Sequence, residues 1–203
     1  MAHLDLQTIT SDFADAIELA DAKRPQAVNI RSKIAFQPGI GPHSESATVE
    51  HVMRELAVTK AELYRNYSLG VRYPTNPRWK CDLCLGAEPV WDWAIEVKMA
   101  RFVGDNGKDN DNILMHILSP YPSHRSALTD CQKLHQSGFK GSKAVLIYGF
   151  DHDAWPLDPA IEAFEALAAT KVKLGSRQTS SFSGLIHPVH TKGRVFAWEI
   201  KAP

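Results

Sequence analysis

The chain has 203 residues, 44% of them apolar and 23% charged. That length predicts one domain with a full core, and that composition excludes a disordered chain. Its 23 basic residues balance 23 acidic ones, which excludes a uniformly basic nucleic-acid coat but not a local basic surface.

The longest apolar run, Ala144 to Tyr148, is too short for a transmembrane helix. The first twenty residues carry Asp5, Asp12, Asp15 and Glu18 and no Lys or Arg, the reverse of a secretory signal. Three cysteines do not make a disulfide framework. The expected compartment is the cytoplasm, with no membrane partner. Charge is segregated: residues 54–80 hold Arg54, Lys60, Arg65, Arg72, Arg78 and Lys80 against Glu55 and Glu62. The tail is acidic over 151–170 and basic over 171–203.

Along the chain, a helix is expected over 11–23, with Ser11 as N-cap and Phe13, Ile17 and Ala20 on one face. Residues 26–43 read as extended or looped, and Pro38-Gly39-Ile40-Gly41-Pro42 breaks any regular element. Ser44 caps a second helix over 44–66, with Val49, Val52, Met53 and Leu56 at helical spacing. A strand follows at 67–73, and Pro74 and Pro77 bracket a turn.

Two strands then alternate with period two. In the first, Trp79, Cys81, Leu83 and Leu85 oppose Lys80, Asp82 and Cys84; in the second, Trp91, Trp93, Ile95 and Val97 oppose Asp92, Ala94, Glu96 and Lys98. Residues 86–89 supply the turn. Residues 104–112, rich in Gly, Asp and Asn, read as a mobile loop. A helix at 123–137 precedes the apolar run 144–148, which has the pattern of a strand buried on both faces. A helix at 158–172 and strands near 181–187 and 194–201 complete the chain. No repeat or long linker divides it, so one domain over 1–203 is expected: an N-terminal helix and loop (1–43), a core (44–150), and a C-terminal helix and β-hairpin (151–203).

The informative segment is Cys81-Asp82-Leu83 and, fourteen residues after the Asp, Glu96-Val97-Lys98. Alternation places Glu96 and Lys98 on one face. A hairpin with a five-residue loop pairs Leu85 with Trp91 and Asp82 with Ala94. Asp82 is then a diagonal neighbour of Glu96, at roughly 7 Å between backbones. Two carboxylates so placed can share a hard cation. Mg²⁺ takes oxygen ligands in octahedral geometry and keeps several waters. Asp82, Glu96 and the Val97 carbonyl offer three oxygens, and Lys98 adds a positive charge beside a scissile phosphate.

In Asp82 and Glu96-Val97-Lys98 the sequence resembles the PD-(D/E)xK superfamily of restriction-endonuclease-like nucleases. The expected element order over 44–150 matches that family's α-β-β-β-α-β core; Cys81 stands where the family often has Pro. The resemblance implies an α/β fold with a mixed central sheet flanked by helices. It implies hydrolysis of DNA phosphodiester bonds with Mg²⁺, or Mn²⁺ in its place, in a restriction or defence role. Double-strand cleavage by one site per chain would imply a homodimer. The family often adds an acid from the first core helix, here Glu45, which shares a face with Val49, Val52, Met53 and Leu56. The loop 39–43 leads straight into it and lies where it can approach DNA backbone. The family's next helix often contributes a polar side chain, here Gln132, with Arg125 on the same face as a phosphate contact. Arg78, Lys80 and Arg101 are further candidates for phosphate binding.

Other readings compete. Glu199-Ile200-Lys201 repeats the Glu-x-Lys pattern, but its preceding strand has no Asp. Cys81-x-x-Cys84 with Cys131-x-x-x-His135 offers four zinc ligands on paper, although strand residues three apart point to opposite faces. His187-Pro188-Val189-His190 lacks acid or thiol partners. Trp79, Trp91 and Trp93 read as core rather than as base-stacking platforms. The rival function is an inactive form of the same fold that acts as a nucleic-acid-binding or assembly module.

Overall fold

A computed structural model describes residues 4–201. Helix α1 spans Leu6–Ala22 and is capped by Asp5, whose carboxylate accepts the Thr8 N–H at 2.7 Å. The helix therefore starts five residues before the expected Ser11 cap, and Ser11 sits inside it. Asp5 satisfies an amide that the first turn leaves unpaired, and Leu6 and Ile9 extend the apolar stripe N-terminally.

Helix α2, Glu45–Thr59, is capped by Ser44, which accepts the Ala47 N–H. Val49, Val52, Met53 and Leu56 are buried as their spacing predicts. The expected single helix to 66 is broken at Lys60 (φ −134°, ψ 48°), after which α3 makes one turn over Ala61–Tyr64. The break lets Lys60 pair with Asp12 while the Tyr64 hydroxyl donates to the other Asp12 oxygen at 2.8 Å. Those two partners are what allow a carboxylate to sit buried in α1.

Strands β1 (Tyr67–Arg72), β2 (Lys80–Ala87) and β3 (Val90–Ala100) form an antiparallel meander. The β2–β3 turn is tighter than the five-residue loop expected, with Ala87 paired to Val90. A bulge at Leu85/Gly86 leaves Asp92 as the extra residue, so Leu85 pairs with Trp93 rather than Trp91. Gly86 holds this bend at φ +101°, where an added Cβ would lie 2.9 Å from the Asp92 nitrogen. The bulge also separates the tryptophans. Trp93 packs with Leu83 and Leu85 on one face, and Trp91 with Cys84 and Ala94 on the other. Trp79 is 38% exposed, edge-on to Tyr73, and not in the core as expected.

Strand β4 (Ser142–Phe150) runs parallel to β3. A parallel neighbour needs a crossover, and residues 101–141 supply it with α4 (Ile113–Leu118), a short 3-10 turn (Pro122–His124) and α5 (Ala127–His135). Helix α5 begins later than expected because Ser126 caps it, accepting the Thr129 N–H at 3.2 Å. The segment expected as a mobile loop closes on itself: Gly104 N–H donates to Lys108 O and Asn110 N–H to Phe102 O, both at 2.7 Å. Beyond β4 come α6 (Asp158–Ala169), β5 (Lys173–Leu174), β6 (Gln178–Phe182) and β7 (Gly193–Lys201).

The sheet order is β1-β2-β3-β4-β7-β5, with β6 also on β7. Helices α1 and α2 cover one face; α4, α5 and α6 cover the other. Strand β4 is buried on both faces, as its unbroken apolar run predicts. The fold is thus mixed α/β, a seven-stranded mixed sheet between helical layers. No helix among the described residues is long and apolar enough to cross a membrane.

Candidate active site

The bulge sets the register that organises the site. Leu83 opposite Ile95 is the last rung of the β2–β3 ladder, and beyond it Asp82 lies near enough to Glu96 for its charge to act on the Glu96 carboxyl. Asp82 Oδ2 accepts the Val97 N–H at 2.9 Å. The carboxylate thus takes over an amide on the neighbouring strand.

Glu96 is only 1% exposed. The Tyr73 hydroxyl donates to its Oε1, and Lys133 Nζ lies 3.0 Å from the same oxygen. Burial pushes the Glu96 carboxyl well above its ordinary range, and the charges of Asp130 and Asp82 push it further. Lys98 Nζ lies 2.9 Å from Asp130 Oδ2 and 3.5 Å from Glu45 Oε1, and donates to the Val97 carbonyl at 3.1 Å. Burial works to lower the Lys98 ammonium, but Asp130, Glu45 and Asp82 outweigh it and hold the ammonium above its usual value. The second oxygen of Asp130 pairs with Lys133 Nζ at 2.6 Å.

Glu45 is the first residue of α2, and its Oε2 accepts the Met99 N–H at 2.7 Å. The helix N-terminus is therefore tied to the strand bearing Glu96 and Lys98. Burial raises the Glu45 carboxyl; Lys98 opposes the shift and Asp82 adds to it. Glu45 and Asp82 line one cavity of about 310 Å³, together with Lys80, Leu69 and Gly70.

The structure thus brings together Glu45, Asp82, Glu96 and Lys98, and adds Tyr73, Asp130 and Lys133, which the sequence reading missed. It does not bring in Gln132 or Arg125: no hydrogen bond or ion pair joins either to this cluster among the described residues. Arg125 is exposed, with left-handed φ of 48°, at the end of the 3-10 turn. The face of α5 that meets the sheet carries Asp130 and Lys133 instead. Their i,i+3 spacing beside Ala127 was the available signal. The Val97 carbonyl, expected as a metal ligand, accepts from Lys98.

Of the candidate phosphate contacts, Arg78 and Lys80 are exposed. Arg101 is engaged internally, donating to the Gly41 carbonyl at 2.5 Å and lying 3.5 Å from Asp105. Other bases of the 54–80 stretch are also paired, Arg54 with Glu50 and Lys60 with Asp12 and Asp15. In the C-terminal hairpin Arg194 clamps Asp151 and Asp158, both at 2.7 Å.

The donor set fits a divalent cation in chemistry and charge. Four carboxyl groups (Glu45, Asp82, Glu96, Asp130) face two ammonium groups; burial raises the carboxyls of Glu45 and Glu96, and neighbouring carboxylates add to the shift. The side chains as they stand do not enclose an ion, since no three His, Cys, Asp or Glu among the described residues converge closely enough. Comparison with protein-family models, with curated proteins and with solved structures returns no match.

Proposed function

We propose that the chain is a Mg²⁺-dependent nuclease that hydrolyses DNA phosphodiester bonds, built on a restriction-endonuclease-like core. The observation that carries this reading is that Asp82 and Glu45 each accept a backbone N–H of β3, from Val97 and Met99, on either side of Lys98 and beside Glu96. The topology supports it. Helix α2, the meander β1-β2-β3, the crossover helix α5 and parallel β4 follow the order of the family's core.

Each residue then has a task. Asp82 and Glu45, on the shared cavity, would hold the cation, with Glu96 behind Asp82 as the third oxygen source. A bound Mg²⁺ supplies Lewis acidity and charge neutralisation for a phosphoryl centre. Lys98 keeps its proton at neutral pH, so it acts as a fixed cation beside the phosphate rather than as a base. Asp130 orients Lys98, and Lys133 offsets the charge of Glu96.

One observation favours a second reading, the inactive nucleic-acid-binding or assembly module. Glu96 is buried and already bonded to Tyr73 and Lys133, as in a purely structural cluster. Plasmid, linear and genomic DNA incubated with Mg²⁺ or Mn²⁺ separate the two. Metal-dependent cutting that falls at least about a hundredfold in Asp82→Ala and Lys98→Ala supports the nuclease. Cutting that survives both variants, or its absence from wild type on genomic DNA, overturns it.

A further inference from the structure

Between Asp21 and Glu45 the chain has no acidic residue and four basic ones, Lys23, Arg24, Arg31 and Lys33. Within this stretch residues 27–36 fold back as a two-stranded finger. Val28 bridges Ala35, Asn29 N–H donates to Ile34 O at 2.9 Å, and Phe36 N–H donates to Ala27 O at 2.9 Å. The tip is fixed by Asn29 Oδ1, which accepts the N–H groups of Arg31 and Ser32 at 2.9 and 3.0 Å.

The finger shows water what a soluble chain ordinarily hides. Ile30 is 85% exposed, Ile34 69% and Val28 52%. Three large β-branched side chains on one short projection mark a contact surface. Arg31 and Lys33 between them are exposed and have no acidic partner among the described residues.

The finger has a rigid base. Gly39 N–H donates to Pro25 O at 2.8 Å, and buried Asp21 accepts the N–H groups of Ile40 and Ile186 at 2.8 and 2.7 Å. Six residues lead from Gly39 to Glu45, at most about 20 Å of chain. The tip adds roughly 15 Å more. The whole reach is about one turn of a DNA duplex.

Apolar tip, basic flanks and tether to Glu45 share one fit. Basic side chains hold phosphates, and exposed Ile wedges part stacked base steps from the minor groove. We propose that the 27–36 finger engages duplex DNA, with Ile30 and Ile34 as wedges and Arg31 and Lys33 on the phosphates, within about one helical turn of the phosphate addressed by the Glu45–Lys98 cluster. This inference rests on the nuclease reading and assigns that site its DNA-gripping element. An anionic membrane also takes apolar and basic groups together, but the short tether to a site suited to phosphodiesters favours the duplex.

The test uses the full-length chain in EDTA, so that binding is read without cutting. Circular plasmid is relaxed by a metal-independent topoisomerase in the presence of the protein, then stripped of protein, and its linking number is measured. Wedge insertion unwinds the duplex and leaves a linking-number deficit. Wild type and Asp82→Ala are expected to give the deficit. The double variant Ile30→Ser/Ile34→Ser is expected to lose it and to bind sheared genomic DNA about tenfold more weakly, as for loss of buried apolar contact. Both positions are exposed, so an unchanged melting temperature checks the fold. A double variant that unwinds and binds like wild type overturns the finger while leaving the nuclease reading standing if wild type still cuts DNA. Wild type that neither unwinds nor binds DNA, but binds phosphatidylserine vesicles through Ile30 and Ile34, overturns it in favour of a membrane. Cutting lost in Asp82→Ala with the linking-number deficit retained separates the finger from the catalytic cluster.

Discussion

Lys98 and Asp130 stand 2.9 Å apart, both almost wholly buried, one from β3 and the other from α5. This pair joins the strand with the Glu-x-Lys pattern to the helix that crosses over to β4. Asp130 also holds Lys133 at 2.6 Å, and Lys133 reaches Glu96 at 3.0 Å. One carboxylate therefore orients both ammonium groups of the cluster.

Replacing Asp130 removes that orientation and leaves two partly buried ammonium groups under-compensated. Asp130→Ala is expected to cost about 3–5 kcal/mol, the range for breaking a buried ion pair from one side. Asp130→Asn keeps the shape and tests the electrostatics. Its Lys98 ammonium titrates at lower pH than in wild type, read by NMR of labelled lysine side chains. An unchanged Lys98 titration in Asp130→Asn contradicts the role given to Asp130.

Burial of carboxyls, reinforced by neighbouring carboxylates, also ties stability to pH. The Glu96 carboxyl is raised well above 4.5 in the folded chain, and Glu45 is raised too. A raised carboxyl contributes stability that is complete below pH 4.5 and is lost as pH climbs through the folded value. Above that window the cluster carries unrelieved negative charge. Mg²⁺ is therefore expected to raise the melting temperature at pH 8 and to leave it unchanged at pH 4.5. At a hundredfold excess over Kd the gain is about 2.7 kcal/mol, roughly 5–10 °C for a chain of this size. Calorimetry at both pH values checks this, and equal melts with and without Mg²⁺ at pH 8 count against a cation site.

Tyr73 gives a narrower test. Its hydroxyl is buried against Glu96 Oε1. Tyr73→Phe keeps the ring contacts with Phe139 and Trp79 and deletes one donor to a buried carboxyl. The expected loss is about 1–3 kcal/mol. Urea unfolding reads it as a lower midpoint with an unchanged slope.

Much of this arrangement is legible in the sequence because it depends on period and on residue type. The β2 and β3 strands, the doubly buried β4 and the apolar face of α2 all follow from spacing. Strand alternation also puts Glu96 and Lys98 on one face near Asp82, whereas Glu45 is expected beside them only through the resemblance to the nuclease superfamily. What hides is what depends on one residue's backbone or on long-range partners. The bulge at Leu85/Gly86, where Gly86 holds φ +101°, shifts the register by one residue and moves Trp91 to the other face. Trp91 and Trp93 look equivalent by alternation, and nothing local separates them. Asp130 and Lys133 are hidden for another reason: polar residues on a helix are ordinarily solvated, and only docking on β3 makes these buried. Asp12 and Asp21 in α1 are likewise buried because Lys60, Tyr64, Ile40 and Ile186, all remote in sequence, supply their partners.

The cysteines provide a test of the competing metal-stapled scaffold. Cys81, Cys84 and Cys131 are all fully buried in one apolar cluster with Leu128, Leu134 and Ala94, so Cys81 and Cys84 share a face, against the alternation expected, and Cys81 lies away from Leu83 and Leu85. Cys81 Sγ donates weakly to the Ile95 carbonyl at 3.4 Å. Burial raises the thiols of Cys81 and Cys131, and neighbouring carboxylates reinforce the shift. A thiol so held is a poor metal ligand and a poor nucleophile, because both roles need the thiolate. The native chain is therefore expected to show no fast-reacting thiol toward a disulfide reagent, and three after unfolding in urea. Purified protein is expected to carry no stoichiometric zinc, and in buffer without added Mg²⁺ a strong chelator is expected to leave its melting temperature unchanged. One zinc per chain, with unfolding on chelation, would reverse the assignment of these residues from core to metal site.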